Sequence, residues 1–470
     1  MSAPHETTMS NRPRLQRPQA GSLLTGPLGR MIARPWFDPV ALFAIGVQGF
    51  PASRLWAAAS VADGDVDKFV DAIGRAPRRM PPRAMTERAL RRIADNQRAY
   101  AAADAAWIDG FFGSVDVPEE QLIDLERHWR QVSDTRYTGR RHVAPLVWYI
   151  RPPRVRYQIP SVAAVMARYG PTTSPTIDAP AVPKMPQESR AILTNFGTEY
   201  WLRLESPLAG DMLWAHVYEP ENVRNPPTAI MCHGLGMEFE MLGGVVDSSL
   251  YLMQRGFRVV HPSAPGHNRR CKPGFYGGEE LLATQPLGSI ELLRAATVEL
   301  GQLVRWAHVK SNGAAVVLGG TSLGALTAQF VACRSRKWPS EFRPDGLMLA
   351  TTSGTTGSLA TVSSLARTVD LPAALKAAGW HADALKHVAL FTDPEGPAPM
   401  DPRRIVMVVA DHDTVTPAED GMELARRWML PGSNVFRCNR GHFSAAIGLL
   451  FDRAPYDALA NRLNVPAPTL

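Results

Sequence analysis

From residue 191 onward the chain repeats one grammar: a short apolar run rich in β-branched residues, then a helical stretch of ten or more. The runs fall at 229–232, 258–261, 314–318, 347–350 and 405–410, and the helical stretches near 243–256, 288–310, 323–336 and 418–429. Strands without polar alternation are buried on both faces, so the pattern predicts an α/β architecture: a mostly parallel sheet flanked by helices. Just ahead, 191–204 and 212–218 alternate apolar and polar residues around the turn Ser206-Pro207-Leu208-Ala209-Gly210-Asp211, and read as an antiparallel pair. Chemistry in such sheets gathers at the carboxyl ends of the strands. Those ends are where candidate residues are sought.

The first part of the chain is different. Residues 1–22 are polar and aperiodic and are expected to form a disordered arm; 23–170 carry helical patterns at 39–47, 65–73, 86–112 and from Pro118 onward. The stretch 171–187 holds five of the 40 prolines, so 171–190 reads as a linker between a mainly α-helical N-terminal domain and a catalytic domain over 191–470. With 45% hydrophobic and 20% charged residues, wholly disordered and fibrous classes are excluded.

Residues 1–190 carry 26 basic and 18 acidic side chains, net +8, and the remainder is net −1. The basic residues are scattered singles and pairs, so no nucleic-acid partner is expected, and the surplus reads first as solubility and intramolecular pairing. The apolar stretch 40–59 contains Gln48, Pro51 and Arg54 and reads as a buried core helix. The competing reading is peripheral docking of this basic region on an anionic membrane face. Four widely spaced cysteines without metal-ligand spacing, and an N-terminus without an apolar segment, are expected of a cytoplasmic protein without a secretory signal. Neither an oligomeric state nor a natural substrate is indicated.

The run 314–318 leads into Gly319-Gly320-Thr321-Ser322-Leu323-Gly324 and then a helix. Gly320-x-Ser322-x-Gly324 between strand and helix has the form of a nucleophile elbow, in which side chains two before and two after the serine would collide with neighbours. A serine hydroxyl needs a base, and the base an orienting carboxylate. The run 405–410 ends in Asp411-His412-Asp413-Thr414-Val415-Thr416-Pro417, and Arg440-Gly441-His442-Phe443 follows a further short strand at 434–438.

In that order, Ser then Asp then His, residues 191–465 resemble an α/β-hydrolase-fold serine hydrolase of the esterase and lipase kind. The resemblance implies Ser322 as nucleophile, His442 as general base and then acid, and Asp413 as the residue fixing the imidazole tautomer. Asp411 is the competing acid; the family's D-x-V-x-P register favours Asp413. The sequence His233-Gly234-Leu235-Gly236 resembles the family's oxyanion loop, which implies the N–H groups of Leu235 and Leu323 as oxyanion donors and places His233 and Gly234 beside the substrate. His233 is expected to brace that loop.

Where the family often has Gly-His-Gly, this chain has Pro265-Gly266-His267-Asn268-Arg269-Arg270. Arg269 and Arg270 are therefore candidates to receive an anionic head group, against the alternative of internal ion pairs. The 54 residues between 350 and 405 are too many for a plain connection and predict a cap insertion at about 351–402, with Leu365, Leu371, Leu375 and Trp380 lining an acyl pocket. The implied activity is hydrolysis of a small-molecule or lipid carboxylic ester through an acyl-enzyme, with neither metal nor organic cofactor. Thioester hydrolysis, amide hydrolysis, acyl transfer and membrane-docked lipid deacylation use the same machinery.

Overall fold

The computed structural model describes residues 12–17, 22–170, 177–180, 184–236, 248–394 and 396–465. The apolar runs become the centre of a ten-stranded sheet: β1 (Gln187–Glu188), β2 (Ile192–Leu193), β3 (Thr198–Glu205), β4 (Met212–Glu219), β5 (Thr228–Cys232), β6 (Arg258–Pro262), β7 (Val316–Thr321), β8 (Gly346–Ala350), β9 (Ile405–Ala410) and β10 (Val435–Cys438). Their order is β1-β3-β4-β6-β5-β7-β8-β9-β10, with β2 paired to β3. From β6 to β10 every pairing is parallel; β1, β2 and β4 run antiparallel to β3, and β4 antiparallel to β6. β8 and β9 are buried along their whole length, the physical reason their sequences show no alternation.

Helices Leu287–Lys310, Leu323–Ser335 and Ala418–Arg427 cover one face, where Leu303, Trp306, Ala328 and Leu424 pack on Leu318, Leu349 and Met407. Leu252, Leu449, Tyr456 and Leu459 close the other against Val317, Met348 and Val408. Two expectations need correction. The run 191–204 is split into β2 and β3, because Asn195-Phe196-Gly197 turns the chain and Gly197 takes φ +137°. Of the helix expected at 243–256, residues 243–247 lie outside the described residues, and the rest is a 3-10 turn, Ser248–Leu250, and the short helix Tyr251–Gln254.

The N-terminal region is helical: Pro27–Ile32, Phe37–Ala44, Phe50–Ala62, Val66–Ile73, Arg83–Phe112, Glu119–Thr138 and Val162–Tyr169 are its main helices. Its hydrophobic clusters are shared with the sheet region. Trp107 and Trp129 pack with Trp201 on β3 and Trp214 on β4, and Tyr276 completes the cluster around helix Phe50–Ala62. That helix is buried on nearly every side, as the core reading of 40–59 expected, whereas Val40 and Phe43 in the first half of that stretch are exposed. Arg54 of the helix makes a buried ion pair with Glu279 at 2.7 Å. Removing one partner of such a pair costs about 3–5 kcal/mol.

The expected disordered arm also needs correction. Residues 1–11 lie outside the described residues, but Leu15 bridges Thr194 and Arg17 is buried between Glu126 and Glu199 at 2.9 and 2.6 Å. Glu126 also pairs with Arg130, but the other partner of Glu199 is His216, a ring that burial keeps neutral, so Glu199 supplies the reason for that order. In the expected linker, residues 171–176 and 181–183 lie outside the described residues; Ile177 is buried, and its carbonyl accepts the indole N–H of Trp338 at 2.8 Å. Arg14, Arg17, Arg54, Arg154 and Arg168 all pair with acids beyond residue 190, so internal pairing absorbs part of the basic surplus. Among the described residues no helix is long and apolar enough to cross a membrane.

Candidate active site

β7 runs straight into Ser322, which sits at φ 56° and ψ −122°, and helix Leu323–Ser335 begins at the next residue. Such a conformation is costly for a side-chain-bearing residue and persists only where its surroundings fix it. A Cβ at Gly320 would come within 2.3 Å of the Cys232 carbonyl oxygen, and one at Gly324 within 2.1 Å of the same atom. Both glycines serve close approach to β5, since neither has a positive φ.

His442 opens the helix His442–Gly448 after β10. Its Nε2 lies 2.9 Å from Ser322 Oγ and its Nδ1 2.7 Å from Asp413 Oδ2. Asp413 Oδ1 accepts the backbone N–H groups of Val415 and Thr416 at 2.9 and 2.8 Å. With the carboxylate so fixed, Nδ1 carries the proton toward Asp413 and Nε2 is left to accept from the serine. Thr416 Oγ1 stands 2.8 Å from Asp413 Oδ2 and 3.2 Å from His442 Nδ1, a contact that sequence reasoning missed. Asp411 is turned away and pairs with Arg437 at 2.7 Å, while His412 meets Asn439. The structure thus brings Asp413, rather than Asp411, to the imidazole.

The turn after β5 carries His233, Gly234, Leu235 and Gly236. His233 Nδ1–H donates to the Gly234 carbonyl at 2.8 Å, and its Nε2 accepts the Ala264 N–H at 3.1 Å. His267 repeats the arrangement: Nδ1 faces the Pro265 carbonyl at 3.1 Å and Nε2 accepts the Gly236 N–H at 3.2 Å. Burial lowers His233 to about 4 and His267 to about 3, so both rings are neutral near neutral pH. His233 braces the loop, and its ring nitrogens are engaged by backbone rather than available to a substrate. His267 was absent from the expected site; its place in Pro265-Gly266-His267, where the family often has Gly-His-Gly, was the available signal. Among the described residues, no acceptor takes up the N–H of Leu235 or of Leu323. Cys232, at the end of β5, is buried, and that pushes its thiol up to about 12, which rules it out as a competing nucleophile.

Arg269 and Arg270 require correction. Arg269 donates to Asp104 of helix Arg83–Phe112 at 2.6 Å and lies over the rings of Trp107, Trp129 and Trp214 at 4.3–4.6 Å. Arg270 is buried between Asp211 and Glu299, each at 2.7 Å. Their charges are neutralised internally by carboxylates 165, 59 and 29 positions away, separations that local sequence cannot show.

Ser322 opens onto a cavity of about 130 Å³ lined mainly by apolar side chains, including Leu235, Leu323, Leu326, Leu365, Leu371 and Val415. The cap segment 351–402 supplies part of its lining through the short helices Thr356–Thr361 and Ser364–Thr368 and through Leu371 at the start of Leu371–Ala377, whereas helix Ala382–Thr392 contributes no lining residue. Leu365 and Leu371 line it as expected. Leu375 and Trp380 do not: they pack with Val155 and Val165, and the Trp380 indole N–H donates to the Pro160 carbonyl at 2.8 Å. Among the described residues no group of three or more His, Cys, Asp or Glu side chains is arranged to hold a metal ion.

No protein-family model and no curated protein matches the chain. Among solved structures it is similar to acetyl xylan esterase 1 of a Thermoanaerobacterium species, with 14% identity and a TM-score of 0.41 over 59% of this chain and 96% of that one. It is also similar to an esterase from Pyrobaculum calidifontis, at 17% identity and 0.36 over 57% and 82%. For the acylaminoacyl peptidase of Pyrococcus horikoshii the values are 11% and 0.38 over 61% and 43%, so the chain spans less than half of that protein's length. The strand order, the one antiparallel side and the positive-φ turn between β7 and its helix make residues 187–465 an α/β-hydrolase fold, preceded by a helical region at 27–169.

Proposed function

We propose that this chain is a serine hydrolase that cleaves carboxylic esters through an acyl-enzyme, with Ser322 as nucleophile, His442 as base and acid, and Asp413 as orienting carboxylate. The observation that carries the reading is the line Ser322 Oγ, His442, Asp413, at 2.9 and 2.7 Å, at the mouth of an apolar cavity. Ser322 Oγ attacks the carbonyl carbon as its proton passes to His442 Nε2. The oxyanion is held by the N–H groups of Leu323 and Leu235, donors that need no reorganisation. Collapse breaks the bond to the alcohol oxygen, which leaves with the proton from Nε2. Water then repeats the sequence on the acyl-enzyme, releasing the acid and restoring Ser322.

A cavity of about 130 Å³ is well below the roughly 300–1,000 Å³ typical of pockets for drug-sized ligands. That favours short acyl chains. The test is a series of p-nitrophenyl esters from acetyl to lauroyl, with the matching thioesters and anilides. The expected result is the highest kcat/KM on short esters. A maximum on long chains would overturn the size argument, and faster anilide than ester turnover would overturn the ester reading.

A second reading, docking on an anionic lipid surface, is favoured by one observation. Trp36, Val40 and Phe43 form an exposed stripe at helical spacing, with Phe43 72% and Trp148 67% exposed, and Arg75 and Arg151 line the adjoining groove. Flotation of the full chain with phosphatidylserine vesicles, against phosphatidylcholine alone, tests it: selective flotation is expected, and equal, negligible flotation removes the reading.

A further inference from the structure

Between Glu6 and Asp63 the sequence holds a single acidic residue, Asp38. It lies in the first turn of helix Phe37–Ala44 and is buried, with 6% of its surface exposed. Its carboxylate reaches 405 positions along the chain. Oδ1 accepts the Phe443 N–H at 2.7 Å; Oδ2 accepts the Ser444 N–H at 3.2 Å and the Ser444 hydroxyl at 2.5 Å. Ser444 Oγ in turn accepts the Gly441 N–H at 2.8 Å. The backbone on both sides of His442 is therefore tied to one carboxylate from the N-terminal region.

Gly441 shows how close the fit is. A Cβ there would stand 2.3 Å from the Asp38 carboxyl carbon, although the glycine's own φ of −96° is open to any residue. The glycine before the histidine is needed for the approach of Asp38, not for a turn. The donors are the first N–H groups of helix His442–Gly448, which have no partner within their own helix, and a carboxylate satisfies them while favouring the positive end of the helix dipole.

We propose that Asp38 is a positioning residue for His442, so that the helical N-terminal region completes the active site of the sheet region. The inference rests on the triad reading above. Asp38 touches no reacting atom; it acts by fixing the backbone from which the imidazole projects. Misplacing a catalytic group by about 1 Å can cost on the order of 10²-fold in rate.

The test uses the full chain and a short p-nitrophenyl ester, with kcat, KM and thermal midpoint measured for each variant. Asp38→Ala is expected to lower kcat 10- to 100-fold (about the range a misplaced base gives) with KM within about threefold. Asp38→Asn, which keeps the shape and one acceptor, should fall between it and the parent. Ser444→Ala should have a smaller effect, and adding it to Asp38→Ala should cost less than Ser444→Ala costs alone, because the contact the two share is already gone and only the Ser444 bond to the Gly441 N–H is left to lose. Leu42→Ala, buried on the same helix, supplies the control: it should lower the thermal midpoint and leave kcat within about twofold, as expected of packing alone. If Asp38→Ala does not fold, Asp38→Asn and Ser444→Ala carry the test. The proposal is overturned if the Asp38 variants keep parental kcat, or if Leu42→Ala loses as much kcat as they do. Should Ser322→Ala retain turnover, the triad reading itself fails, whatever the Asp38 variants show.

Discussion

His442 and His267 both lie beyond the carboxyl ends of parallel strands, one opening a helix and the other in a loop, and both are buried. Their ring nitrogens are committed differently. His267 spends both on backbone, one as donor and one as acceptor, and is held as a neutral strut under the loop that carries Leu235. His442 gives one nitrogen to a carboxylate and turns the other to a hydroxyl that can surrender its proton. A ring bonded to amides at both ends is a spacer, whereas a ring between a carboxylate and a hydroxyl is a proton relay.

That contrast can be broken most severely at His442. Replacing it with Gln should lower kcat by about four orders of magnitude with the thermal midpoint nearly unchanged; a loss below tenfold would mean the proton goes elsewhere. Asp413→Asn should cost about 10³- to 10⁴-fold by inverting the tautomer, while Asp411→Asn should stay within about threefold. Equal losses in the two variants would break the assignment of the acid. His267→Ala should behave in the opposite manner, reducing stability in urea by about 1–3 kcal/mol for its lost hydrogen bonds and lowering kcat tenfold at most.

The smallest effect is a pH slope. Burial lowers His216 and His233 to about 4 and His267 to about 3. In the unfolded chain these rings take up protons below about pH 6.5, but in the folded chain only near those depressed values. Folding stability should therefore be full above about pH 6.5 and fall as the pH drops below it, by up to about 1.4 kcal/mol per pH unit for each ring. Urea unfolding of the parent and His267→Gln between neutral pH and about pH 5 checks this; the variant should show the shallower loss, and identical slopes would mean that His267 is protonated in the folded state.

Much of the sheet and the order of the candidate residues were legible because both are local. Runs such as 405–410 declare a buried strand, and Gly320-x-Ser322-x-Gly324 declares a tight crossing between strand and helix. What stayed hidden depends on partners distant in sequence. Arg269 beside Arg270 reads as a cationic patch until Asp104 and Glu299 are brought to it, and Asp38, just ahead of the helix expected at 39–47, has nothing local to tie it to Gly441. The N-terminal arm and linker were misread for the same reason: Arg17 and Ile177 are ordered by residues of the sheet region, not by any period of their own.

The most direct measurement is the site of covalent labelling by a fluorophosphonate. The parent should take up one equivalent, mapped by peptide mass spectrometry to Ser322, and Ser322→Ala should take up none. Undiminished labelling of Ser322→Ala, or modification mapped to another residue, would contradict the account.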